Sequence, residues 1–322
     1  MKLGVLTVPF GDMPLDDTLK YLKSVGLDAA EIGCGGCPGK AHCDPEELLA
    51  DPKKLDEFKS TFEKNEIEIA ALSCHGNAVH PNKKIAEGYH NDFVNAVLLA
   101  EKLGVHKVIT FSGCPGDGPD AKYPNWVTCP WPEDFLAVLD YQWNDVLIPY
   151  WKKTAAFAEE HGVNKIAFEM HPGFCVYNPE TMLRIRKEVG NTLGANFDPS
   201  HLFWQGIDPV EAIRYMGDAI FHFHAKDTRI DKRNADVNGV LDTKHYSDEI
   251  NRAWVFRSVG YGHDMQTWRD MISMLRLVGY DHVLSIEHED SLMTNKEGFE
   301  KAVYFLKQAM IKEPKPTGMF WA

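Results

Sequence analysis

Glu169 and His171 in Lys165-Ile-Ala-Phe-Glu-Met-His-Pro172, Asp198 and His201 in Asp-Pro-Ser-His, His224 in His-Ala-Lys-Asp, and Glu287 in Ser-Ile-Glu-His each close a short apolar run. Such runs read as buried strands, and the polar residues stand where strand gives way to turn. Glu169, Asp198, Glu287 and His224 together make a hard, oxygen-rich donor set. It suits Mn²⁺, Mg²⁺ or Co²⁺ better than a structural zinc, which favours thiolates. A cation beside paired carboxylates stabilises the enediolate oxygen left when a proton is removed next to a carbonyl. A glutamate that ligates a cation is a weakened base. His171, two residues past Glu169 and carrying an imidazole of ordinary pKa about 6.5, is therefore expected to take the proton.

Residues so far apart act together only if a fold gathers their strand ends. Apolar runs at 3–8, 29–32, 67–72 and 107–111 alternate with helical patterns at 15–25 and 91–103, and a long helix over 133–161, broken near Pro149, leads into the strand of Glu169. Eight strand candidates in strict alternation with helices predict parallel βαβ units closing as one (β/α)8 TIM barrel over 1–322. An open doubly wound sheet is the alternative, but no glycine fingerprint follows the first strand. In a barrel the strand ends converge on one face, which brings Glu169, Asp198, His224 and Glu287 together. Asp44-Pro45, Asp51-Pro52, Asn178-Pro179 and Asp208-Pro209 each read as a helix N-cap followed by proline in the first turn.

Two stretches depart from a minimal repeat, and both are expected at the barrel's C-terminal face. Residues 112–132 are dense in proline and glycine, which forbids regular structure, and in aromatics, which implies packing. Tyr123, Trp126 and Trp131 are expected to border a substrate pocket there, since rings recognise planar apolar groups. Residues 228–262 are polar and charged and long enough to act as a lid.

A formal charge of −13 with pI ≈ 5.5 argues against a nucleic-acid surface, which needs a basic stripe. No apolar run is long enough for a bilayer, and the opening residues lack a signal-peptide pattern, so a cytoplasmic location is expected. Seven cysteines are an odd count that fits free thiols. Cys34-Gly-Gly-Cys37 with His42 and Cys43 reads as a glycine turn rather than a zinc site.

On the motifs around Glu169, Asp198 and His201, His224 and Glu287, the chain resembles the sugar isomerase/epimerase superfamily with a xylose isomerase-like barrel, over nearly its whole length. The resemblance implies a divalent metal, commonly manganese, on Glu169, Asp198, His224 and Glu287, with Glu169 and Glu287 as acid and base. It also implies substrate contacts from His201 and from an arginine after the strand-seven histidine, for which Arg229 is nearest; His75, Trp126 and Trp131 are further candidates. DNA-repair endonucleases on this barrel need extra histidines. Here the fourth strand ends in Thr110-Phe-Ser-Gly-Cys and no Asp-x-His follows His224, so a trinuclear site is not expected. The added aromatic loop looks like that of the catalytic subunit of bacterial C-glycoside deglycosidases. Those proteins work with a small second subunit and cleave 3-oxo-glucosides of aromatic aglycones. Keto-sugar isomerase or epimerase and sugar or inositol dehydratase are the alternative activities.

Overall fold

The computed structural model describes residues 1–316, 318, 319 and 321. Its ten strands are β1 (Lys2–Leu6), β2 (Ala29–Gly33), β3 (Glu68–Ser73), β4 (Lys107–Thr110), β5 (Lys165–Glu169), β6 (Leu193–Phe197), β7 (Ile220–Ala225), β8 (Asp227–Ile230), β9 (Trp254–Arg257) and β10 (Val283–Ile286). Eight of them close a barrel in the order β1-β10-β7-β6-β5-β4-β3-β2, and every neighbouring pair is parallel. β2, β4, β6, β7 and β10 are buried at every residue. That follows from covering one face with helices and turning the other into a filled interior. β8 and β9 form a separate antiparallel ribbon that starts at Asp227 and otherwise lies within the 228–262 insertion.

The helices start where the sequence places Asx-Pro pairs. The side chains of Asp44, Asp51, Asn178 and Asp208 each accept a backbone N–H of the first turn, with proline just inside it. The helix expected at 91–103 begins earlier, as Lys83–Leu103, because Asn82 caps the N–H groups of Lys84 and Ile85. The long helix over 133–161 is three pieces, Asp134–Asp140, a π-helical Tyr141–Leu147 and Ile148–Glu160. Its irregularity precedes Pro149, which sits harmlessly in the first turn of the last piece. Trp151 in that piece packs edge-on against Phe168 of β5 and Phe93, and its Nε1–H donates to Ser112 O at 2.8 Å. One core side chain thus ties barrel, helix layer and the 112–132 loop together.

The seven cysteines are free thiols. The Cys34–Cys37 stretch is a turn in which Gly36, at φ +60°, lies so close to His75 O that a Cβ would sit 2.0 Å from it. Glycine is required there, and Cys37 N–H donates to that same carbonyl at 2.8 Å. His42 Nε2 reaches Met13 O at 3.0 Å. Among the described residues no helix is long and apolar enough to cross a membrane.

Candidate active site

The C-terminal ends of β5, β6, β7 and β10 deliver Glu169, Asp198, His224 and Glu287 to one place, with ligand atoms all within 4.8 Å of one another. Glu169 is the last residue of β5 and meets three imidazoles. His201 Nε2 lies 2.9 Å from its Oε1, while His75 Nε2 and His224 Nδ1 lie 3.0 and 3.4 Å from its Oε2. Asp198 repeats the Asx-Pro device of the outer helices with a different result. Its Oδ1 caps the short helix Pro199–Phe203 through Ser200 N–H at 2.8 Å, which leaves Oδ2 facing Lys226 Nζ at 3.0 Å and His201 Nε2 at 3.3 Å. That short helix is what carries His201 to Glu169.

Lys226, one residue past β7, donates from Nζ to Glu287 Oε2 at 2.7 Å and Glu289 Oε2 at 2.9 Å, under the ring of Phe256. Burial alone would lower its pKa, but Asp198, Glu287, Glu289 and Glu169 hold it well above the usual lysine value. Burial likewise opposes ionisation of Glu287, yet Lys226 and His224 pull its pKa down to about 2. For Glu169, the hydrogen bonds of His201, His224 and His75 overcome burial and keep the carboxyl well below its ordinary range. Glu169 and Glu287 are therefore ionised.

His224 Nδ1 and Asp198 Oδ2 are buried and make no hydrogen bond of good geometry, Asp198 Oδ2 being met only by its ion-pair contacts with Lys226 and His201. His224 Nδ1 points at Glu287 Oε2, 3.0 Å away, in a group where carboxylates outnumber their cationic partners. Orphaned donor atoms, buried negative charge and an oxygen-rich ligand set together fit a hard divalent cation. Metal binding at these four residues is consistent with all three features.

Two cavities meet at the cluster. One of about 200 Å³ has Glu169, Lys226 and Glu287 in its wall, with His75 and Phe111 beside them. The other, of about 360 Å³, is lined by Trp126, Trp204, Tyr246 and Trp254 along with His201. His171 borders both. Its ring centroid is 4.1 Å from that of His201, and its Nδ1 approaches Pro172 O at 2.5 Å, so Nδ1 carries the proton and Nε2 the lone pair. The expectation of an ordinary imidazole pKa is corrected here: burial, with the neighbouring His201, pushes His171 down to about 3.

His75 lines the first cavity and His201 and Trp126 the second, while three other candidates line neither. Trp131 is 74% exposed and Tyr123 78%, and neither lines either cavity. Arg229 is exposed, and its Nη1 reaches out to Gly262 O at 3.5 Å. It pairs with Val255 in the ribbon, so it shares the face opposite to that of the neighbouring Thr228–Phe256 pair, whose Phe256 covers the cluster.

Lys226, Glu31 and His222 were not singled out by the sequence reading. Spacing offered a signal for two of them, since His222, His224 and Lys226 recur at period two and belong on one face of a continuing strand. Glu31 announced itself only as a charge inside the apolar run Ala29-Ala-Glu-Ile-Gly33.

Residues 19–309 match the xylose isomerase-like TIM barrel family. A Bacillus subtilis (strain 168) protein, the uncharacterized YfiH, is 42% identical over 313 residues, covering 96% of this chain and 99% of its own. The solved structure of the IOLI protein with a bound zinc atom superposes with a TM-score of 0.66 at 21% identity, covering 96% of this chain and 98% of its own. That of the E. coli 3-keto-D-glucoside 4-epimerase YcjR has a TM-score of 0.62 at 13% identity, with coverage of 96% and 99%. At such identities the two structures speak for the fold alone. The chain belongs to the xylose isomerase-like TIM barrel family.

Proposed function

We propose that the protein removes the proton next to the carbonyl of a sugar or sugar derivative, with a divalent cation, Mn²⁺ first among candidates, held by Glu169, Asp198, His224 and Glu287. The observation that carries this reading is the convergence of those four side chains, two of them with orphaned atoms, at the wall of a cavity. When bound, the cation supplies Lewis acidity that stabilises negative charge developing on the carbonyl oxygen.

The chain's own residues do the rest. His171, held by Pro172 O through Nδ1, presents the Nε2 lone pair and takes the proton from carbon. With a pKa of about 3 it is neutral at any working pH. It is also a weak base, so the C–H bond must be strongly acidified by the adjacent carbonyl. Glu169 and Glu287 face the same cavity and complete the acid–base set, Glu287 having the more exposed side chain at 14% against 3%. Lys226 and His201 bind and orient substrate oxygens, a role Lys226 fills in place of Arg229.

The specific substrate we propose is a 3-oxo-glucoside of an aromatic aglycone joined through carbon. Loss of the C2 proton gives the C3 enolate; as C3=O re-forms, C1=C2 forms and the C1–aglycone bond breaks, its electron pair leaving with the aglycone carbon, which is then protonated. The second cavity, walled by Trp126, Trp204, Tyr246 and Trp254 next to His171, supports this reading because it offers stacked rings within reach of the cluster. Re-protonation of a C3 enolate, formed by loss of either the C2 or the C4 proton, would instead make an epimerase or isomerase. The name of the neighbouring 3-keto-D-glucoside 4-epimerase favours that second outcome.

Incubating Mn²⁺-loaded protein in D₂O with keto-sugars and with 3-oxo-C- and O-glycosides distinguishes them by NMR. Release of free aglycone, with deuterium on the carbon that had been joined to C1 of a C-glycoside and no hydrogen left at C2 of the sugar product, supports elimination. Deuterium in an isomerised or epimerised sugar supports the second outcome, and no exchange across the panel contradicts proton abstraction altogether.

A further inference from the structure

Glu31, the third residue of β2, is fully buried and lines neither of the two cavities at the cluster. It accepts from Ser73 Oγ at 2.5 Å, Ser285 Oγ at 2.7 Å and His222 Nε2 at 2.9 Å. His224 Nε2 lies 3.0 Å from both of its oxygens. β2 and β7 are separated in the barrel order by β1 and β10, so these contacts cross the barrel interior. A carboxylate taken out of water is costly unless every lone pair is met, and here two hydroxyls and two imidazoles meet them.

The donor directions can be read from the far end of the barrel. Lys107 Nζ donates to Phe221 O at 3.0 Å and stands 3.2 Å from His222 Nδ1. An ammonium only donates, so Nδ1 accepts and Nε2 of His222 carries the hydrogen that goes to Glu31. The other oxygen-facing nitrogen, His224 Nε2, is then a donor as well, because a carboxylate only accepts. His224 Nδ1 is left as the atom turned to Glu169 and Glu287, and it has no hydrogen-bond partner.

We propose that Glu31 is a positioning residue: it fixes His224 with hydrogen on Nε2, so that Nδ1 is the metal-binding atom. Ser73, Ser285 and the Lys107–His222 pair hold Glu31 in turn. The carboxylate–histidine–metal arrangement this creates is one in which the outer partner sets ring orientation and ligand basicity. Glu31, His222 and His224 also offer ligand atoms within 4.8 Å of one another, but hydroxyl and imidazole donors already occupy the carboxylate. The geometry assigns Glu31 to orienting a ligand, not to holding a second cation.

The inference rests on the metal site proposed above, and calorimetric titration of wild-type and Glu31→Gln protein with Mn²⁺ separates the two. Wild type is expected to bind one equivalent, and Glu31→Gln to bind it about 10–100-fold more weakly. Glu31→Asp, which keeps the charge, is expected to recover part of the loss. In ¹⁵N-histidine NMR of the Zn²⁺-loaded proteins, wild-type His224 should show hydrogen on Nε2 and metal on Nδ1, and Glu31→Gln a changed or mixed pattern that lost stability alone does not produce. Should Glu31→Gln fail to fold, Ser285→Ala leaves the carboxylate in place and should weaken binding several-fold. Unaltered affinity and tautomer in the variant that folds overturn the positioning role alone. A second equivalent of metal, lost in Glu31→Gln while the first is retained, overturns it too. A wild-type protein that takes up no divalent metal contradicts both this role and the metal site.

Discussion

The two insertions at the barrel mouth, residues 112–132 and 228–262, look equally suited to cover a pocket, and the structure uses them differently. The first has no strand of its own and is tied down by side chains from outside. Gln142 Nε2 donates to the carbonyls of Pro115, Gly116 and Asn125, and Asn77 exchanges two hydrogen bonds with Cys114. Past Asn125 only Trp126 and Val127 turn inward, and Thr128 to Glu133 are exposed.

The second insertion contains the β8–β9 ribbon, and its base is closed by one buried carboxylate. Asp227 Oδ2 accepts the backbone N–H groups of Gly260, Gly262 and His263, while Oδ1 meets His263 Nδ1 at 2.7 Å. On the ribbon's inner face Trp254 stacks on Trp204 at 4.7 Å, and Phe256 sits over Lys226 and edge-on to His201. An aromatic in an irregular loop carries no rule about which way it points, whereas strand alternation fixes the direction of every second side chain.

The largest expected effect is at the seam between the two coverings. His171→Gln should lower kcat by roughly 10²-fold or more, the range for losing a general base, with metal content unchanged. Turnover near normal in that variant, with exchange lost only in Glu169 or Glu287 variants, would return the base to the carboxylates. Next comes Phe256→Ala against Trp131→Ala. Removing the ring over Lys226 and His201 should reduce kcat/KM by at least about tenfold, since it opens the site to water, while Trp131→Ala stays within experimental error of wild type. Equal losses would erase the distinction between the two insertions.

A smaller and more selective effect is expected of Trp126→Ala, the one aromatic of the first insertion that reaches the second cavity, where it packs edge-on against Tyr177. KM for aryl glycosides should rise several-fold while that for free keto-sugars holds. A common rise in both would remove the aromatic cavity from substrate recognition.

The smallest effect on activity is expected at the far end of the barrel axis. Burial pushes the Lys107 pKa down to about 8, below its unfolded value of about 10.4. Between those values the unfolded chain binds more protons, so wild-type stability should rise with pH across that window. Lys107→Met should lack the rise, which urea midpoints at pH 7.5 and pH 10 will show.

Much of this arrangement is legible in the chain. Alternating apolar runs and Asx-Pro caps gave a (β/α)8 barrel, because periodicity and capping are local properties. The convergence of Glu169, Asp198, His224 and Glu287 followed from barrel geometry applied to strand ends. What stayed hidden depended on parity or on partners distant in sequence. Arg229 falls on the outward face of a ribbon whose register the sequence does not display. Lys226 takes a place among the carboxylates, and Glu31 meets β7 only across a closed interior. The pKa of His171 required knowing how deeply it is buried.

The central claim is a single divalent-metal site at four strand ends, and calorimetric titration with Mn²⁺ of wild-type protein and of the Asp198→Ala/His224→Ala double variant tests it most directly. The account predicts one equivalent bound by wild type and none by the double variant, whose circular dichroism and melting remain those of a folded barrel. Absence of binding in wild type, or undiminished binding in the double variant, would contradict it.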